Sequence, residues 1–194
     1  MKYKILALSL LSAIGLTQAN AAATTYTATS VATWTATAKK DTTSKLVVTP
    51  LGSLQFDYAN GISSFNTQKG LFNLSITGDP SATNFKLTSK LISNTLTQLD
   101  SSGSTLTVGV RYLGNELQKG TATTLVDSAA TNNLGVMINL LNGAKLATNT
   151  SVSDSFTFYI KEGTKDGTTK SDFSSLPDGI WSGDVGVEFD ATWS

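Results

Sequence analysis

Two alternating ribbons, one near each end of the chain, constrain the fold more than any other feature. From Tyr26 to Ala38 every second residue is apolar or small: Tyr26, Ala28, Ser30, Ala32, Trp34, Ala36 and Ala38. Between them stand Thr27, Thr29, Val31, Thr33, Thr35 and Thr37, an almost unbroken polar row. Near the C-terminus Val185, Val187, Phe189, Ala191 and Trp193 alternate in the same way with Gly186, Glu188, Asp190 and Thr192. Successive side chains of a strand point to opposite faces, so each segment is a ribbon with one buried and one solvated side. The first ribbon is too small-sided to build a core of its own. A strand edge left exposed at a terminus invites pairing, and the partner can be a second molecule.

The start of the 194-residue sequence reads as an export signal. Lys2 and Lys4 form a charged beginning, Ile5 to Leu16 an apolar run, and Ala19-Asn20-Ala21 a small-x-small site that predicts cleavage between Ala21 and Ala22. The apolar run is shorter than the ~20 residues a spanning helix needs, so the expectation is an exported, soluble chain. Without Lys2 and Lys4, 12 basic residues face 14 acidic ones. No basic stretch is interleaved with aromatics, which argues against a nucleic-acid partner. The expected organisation is a signal over 1–21, an extension over 22–38, and a single domain over 39–194. That domain is long enough for one core, and the polar stretch Lys39 to Ser44 serves as a hinge.

The domain reads as all-β. Five rows alternate: Leu54, Phe56, Tyr58; Phe72, Leu74, Ile76; Phe85, Leu87, Ser89, Leu91; Leu106, Val108, Val110, Tyr112; and Phe156, Phe158, Ile160. Turn signals separate them at Asn60-Gly61, Gly78-Asp79-Pro80, Ser102-Gly103, Asp166-Gly167 and Asp178-Gly179. Asn115 to Asn149 reads mainly as loop, with Val136 to Leu141 either a short buried strand or one helical turn. Short strands with frequent turns indicate a β-sandwich or barrel, the sandwich being favoured.

Chemistry finds little purchase here. There is no cysteine, so stability comes from packing or from pairing between molecules, not from disulfides. There is no histidine, which removes the commonest general base and metal ligand together, and no G-x-S-x-G marks a nucleophile. Asp184, Glu188 and Asp190 share parity on the last ribbon, but on its solvated side, where charge is the default. The expectation is a non-enzyme with neither cofactor nor metal. Trp181, close to the Asp178-Gly179 turn, offers an alternative: a sugar-stacking platform in a monomeric, lectin-like sandwich. Tryptophan in a sandwich is more often a core filler. Trp34, the one large side chain amid a small-sided ribbon, reads as an anchor for a pocket.

Several stretches together resemble a known family. They are Val31 to Trp34, Ala36 to Leu54 (ATAKKDTTSKLVVTPLGSL), Gln68 to Phe72, Phe85 to Ser89, Asn94 to Asp100 (NTLTQLD), Ser102 to Leu106, Gly179 to Val185 (GIWSGDV) and Phe189 to Trp193 (FDATW). The sequence is similar to the EcpA/MatB fimbrillins, major subunits of the enterobacterial common pilus in the alternate chaperone–usher class. The resemblance implies an immunoglobulin-like sandwich lacking its last strand and completed by a donor strand from a neighbouring subunit. Tyr26, Ala28, Ala32, Trp34 and Ala36 are then the donor residues, and Val185, Val187, Phe189, Ala191 and Trp193 line the acceptor edge. It implies further copies of the chain in a head-to-tail filament, a periplasmic chaperone, an outer-membrane usher, a tip adhesin and a host-cell receptor as partners. The implied product is a cell-surface fibre that serves attachment and biofilm formation.

Overall fold

The structure is a computed structural model and describes residues 45–100 and 102–194. The export signal, the Ala21–Ala22 cleavage site and the ribbon from Tyr26 to Ala38 lie outside the described residues.

Among the described residues thirteen strands follow one another: β1 Leu46–Leu51, β2 Tyr58–Ala59, β3 Ser64–Phe65, β4 Gln68–Thr77, β5 Phe85–Ser93, β6 Thr95–Gln98, β7 Thr105–Tyr112, β8 Asn115–Glu116, β9 Thr123–Asp127, β10 Asn149–Thr164, β11 Lys170–Ser171, β12 Trp181–Ser182 and β13 Gly186–Trp193. One short helix, α1 (Asn139–Ala144), precedes β10. The larger sheet runs β1-β4-β10-β7-β6-β12, and the smaller runs β13-β5-β9. β10 is the spine: its first half pairs with β4 and its second with β7, across a bulge between Ile160 and Glu162.

Alternation builds the core as the sequence predicts. Phe72, Leu74 and Ile76 of β4, Phe85, Leu87 and Leu91 of β5, Leu106, Val108 and Val110 of β7, and Phe156, Phe158 and Ile160 of β10 are all buried between the sheets. Assigned in chain order, β1-β4-β10-β7 occupy the A-B-E-D positions of an immunoglobulin sandwich, and β5 and β13 the C and F positions. The all-β, immunoglobulin-like architecture follows. The G position, beside β13, carries no described strand.

Two sequence expectations need correction, and a third, left open between strand and helical turn, resolves to the helix. Leu54 and Phe56 are not in a strand, and only Tyr58 opens one, because Gly52 turns the chain at φ 89° and both apolar residues pack against the core from a loop. β9 lies inside the stretch read as loop. Its Leu125 and Val126 are both buried, since a register shift at Leu87/Thr88 makes Leu125 a bulge residue and erases the alternation. Val136 to Leu141 is helical, a 3-10 turn over Val136–Ile138 that runs into α1 and buries Met137, Leu140 and Ala144.

Candidate functional site

The candidate site lies where both sheets end on the same side of the molecule. β1 terminates the larger sheet and β13 the smaller, and no pairing joins them. β1 suits an edge because Pro50 has no N–H to give to a further strand. Its Leu46 and Val48 point inward and are half-buried, whereas Val47 and Thr49 are exposed.

β13 presents the second rim. Hydrogen bonding to β5 satisfies one side of it, from Gly186 opposite Ser93 to Trp193 opposite Phe85. Its other side meets no described strand. Val185, Val187, Phe189, Ala191 and Trp193 all pack against the core, yet none is fully buried. The Phe189 ring lies 5.3 Å from that of Phe72 and 5.7 Å from that of Phe156, so the groove floor is continuous with the core. The Trp193 ring lies tilted against that of Phe85 at 5.2 Å, and its Nε1 is buried without a hydrogen-bond partner among the described residues.

The two rims run antiparallel. Lys45, which leads into β1, holds its ammonium 5.7 Å over the Trp193 ring at the end of β13. At the other end Phe189 lies against Phe72, whose β1 partner is Pro50. The Lys45 end is termed the proximal pole here, and the Leu51 end the distal pole. Lys45 also donates to Asp79 Oδ2 at 2.7 Å, tying β1 to the β4–β5 turn. That bond, followed by those from the Ser81 hydroxyl and amide, holds the Asp79 carboxyl far below the usual carboxylate range.

The remaining candidate residues settle elsewhere. Glu188 points outward and pairs with Lys90 across the β13–β5 ladder, Asp190 is exposed on the same face, and Asp184 precedes the strand. Lys90 is consequently shifted upward, chiefly by its hydrogen bond to Glu188. Trp181 is half-buried against Phe65, its ring edge-on at 6.4 Å, and Nε1 donates to Ser104 Oγ at 3.1 Å. It fills structure instead of offering a free stacking face. Sequence reasoning missed β1, the rim opposite β13. Its LVVTPL run shows no alternation, and the inward turn of Leu46 and Val48 was the only available signal.

Comparison with known proteins matches the fimbrillin MatB family model over residues 27–193. The chain belongs to that family. This fimbrillin is 58% identical to the common pilus major fimbrillin subunit EcpA of Klebsiella pneumoniae subsp. pneumoniae, covering all of both chains. It is 57% identical, again over the whole of both, to the protein of that name from Escherichia coli strain SMS-3-5. Among solved structures, the CooA pilin subunit from enterotoxigenic Escherichia coli is 15% identical over 75% of this chain and 87% of that one, with a TM-score of 0.45. Among the described residues no helix of the fimbrillin is long and apolar enough to cross a membrane.

Proposed function

We propose that this fimbrillin is the repeating subunit of a cell-surface pilus, and that its copies join by donor-strand exchange. The observation that carries the reading is the G position beside β13, empty of any described strand and floored by Phe189, Phe72 and Phe156. The segment from Ala22 to Ala38 of the next copy fills it. About 13 alternating residues span roughly 40 Å in extended form, enough to run the length of β13. Main-chain hydrogen bonds to the free side of β13 supply affinity. Trp34 supplies the anchor, and Tyr26, Ala28, Ala32 and Ala36 occupy the other inward positions.

Polarity follows from the two poles. The described domain begins at Lys45, at the proximal pole, so each copy's own extension departs there. A donor running parallel to β13 would leave its acceptor at that same pole, and two neighbours would then claim one end. A donor running antiparallel to β13 leaves at the distal pole, and copies stack proximal to distal. Such a contact is heterologous and never closes, so the product is a filament.

Before assembly, the same edge is an aggregation hazard that a periplasmic chaperone strand covers, with an usher exchanging that strand for the donor. Export and removal of residues 1–21 precede this, and a tip adhesin and a host-cell receptor complete the set of partners. Size-exclusion chromatography of the exported chain, with and without residues 22–38, tests the core of the proposal. Polymers from the full chain and none from the shortened one are expected. Equal polymerisation of both would overturn it.

A further inference from the structure

We propose that successive copies also touch body to body, through an exposed leucine pair at the distal rim of the acceptor and Leu146 at the proximal pole of the donor. The inference rests on the head-to-tail reading above. Leu51 and Leu71 stand directly opposite one another in the β1–β4 register. Both point away from the core, since Phe72 and Leu74 alternate with them inward, and they are 47% and 53% exposed. Apart from Val47, 44% exposed toward the Lys45 end of β1, the neighbouring positions of that outer face carry Thr49, Asn73, Ser75, Ser151, Ser153 and Ser155, which is what a solvated face carries. Two adjacent half-exposed leucines on such a face ask for a cover.

The tether says what covers them. A donor strand antiparallel to β13 leaves the groove at the distal rim, beside Leu51. Between Ala38 and Lys45 lie only the six residues Lys39 to Ser44, which reach at most about 25 Å when fully extended. The donor's folded body is therefore held against the distal rim by its proximal pole. On that pole Lys45 O accepts from Thr77 N at 2.8 Å, and the next residue, Gly78, lies under the end of α1. A Cβ on Gly78 would collide with the carbonyl oxygens of Gly143 and Leu146. Leu146, 53% exposed, thus projects beside the point where the tether leaves.

A leucine knob against a leucine pair is far too small a contact to join free subunits. A short tether raises the effective concentration to the millimolar range, where a weak contact is populated without further help. The contact then limits how far one copy bends against the next.

Because the chain has no cysteine, an introduced pair is unambiguous. Pili assembled from a Leu71→Cys, Leu146→Cys double variant are oxidised and run on a denaturing gel without reductant, with Leu51→Cys, Leu146→Cys as the second pairing. A disulfide requires Cα atoms within about 7 Å, so a covalent ladder that reductant collapses is expected from at least one pairing, and none from any single variant. Fibres visible by electron microscopy that give no ladder from either pairing would overturn the contact. So would a ladder from Leu71→Cys alone, which would put two leucine pairs face to face. Wild-type preparations without fibres would instead overturn the head-to-tail reading, and this contact with it.

Discussion

Phe156, in the middle of β10, and Phe189, in β13, lie with their rings 5.7 Å apart, yet their situations differ. Phe156 is 2% exposed, with β4 pairing on one side of its strand and β7 on the other. Phe189 has β5 on one side only and remains partly exposed. The residue type, the alternation and even the neighbouring Phe72 ring are shared. What differs is the number of strands beside each, so one phenylalanine completes a core and the other begins an interface.

The largest effects should separate these two residues. Phe156→Ala removes a fully packed ring and is expected to cost about 3–5 kcal/mol, so the subunit fails to accumulate even with its chaperone. Phe189→Ala should leave a chain that folds with its chaperone but forms polymers that melt at lower temperature than wild type. Equal loss of monomer from both variants would erase the distinction.

A second, smaller contrast lies within β13 itself. Phe189→Asp brings an unpaired carboxylate against Phe72 and Phe156, which costs several kcal/mol, and chaperone co-purification should be lost. Glu188→Lys breaks only the exposed pair with Lys90, worth about 0–1 kcal/mol, and co-purification should be nearly unchanged. Pull-down of both variants checks the assignment of faces, and equal damage would refute it.

The clasp at the proximal pole should respond to acid. The Asp79 carboxyl titrates lower in the folded chain than in the unfolded one, because Lys45 and Ser81 bond its ionised form. Its contribution is therefore present above the ordinary carboxylate value, near 4, and is lost as the pH falls through and below it. Asp79→Asn should flatten the acid limb of a melting-temperature profile while leaving the neutral limb nearly parallel to wild type. The smallest effect concerns Ser89, opposite Phe189 in the β5–β13 register, whose Oγ is buried without a partner among the described residues. Ser89→Ala should be neutral or stabilising by about 1 kcal/mol, measurable by denaturant unfolding.

How much of this was legible beforehand depended on whether a segment sees water on one face. β4, β5, β7 and β10 do, and Phe72 to Ile76, Phe85 to Leu91, Leu106 to Tyr112 and Phe156 to Ile160 carried their rows openly. The inward face of β13 was legible for the same reason, and Val187, Phe189 and Trp193 pack against the core, where alternation sends them. β9 was hidden by its bulge at Leu125, and β1 by three consecutive exposed positions from Thr49 to Leu51. Leu51 and Leu71 gave no signal at all, because which residues stand opposite one another is a property of pairing and not of either segment alone.

The most direct test of the central claim uses the fimbrillin lacking residues 22–38, released from its chaperone in the presence of a synthetic peptide spanning Ala22 to Ala38. The wild-type peptide and its Thr33→Asp form should raise the melting temperature and yield stable monomers. The Trp34→Asp form, carrying a charge on the inward face, should do neither. No stabilisation by the wild-type peptide, or equal stabilisation by the Thr33→Asp and Trp34→Asp peptides, would contradict the account.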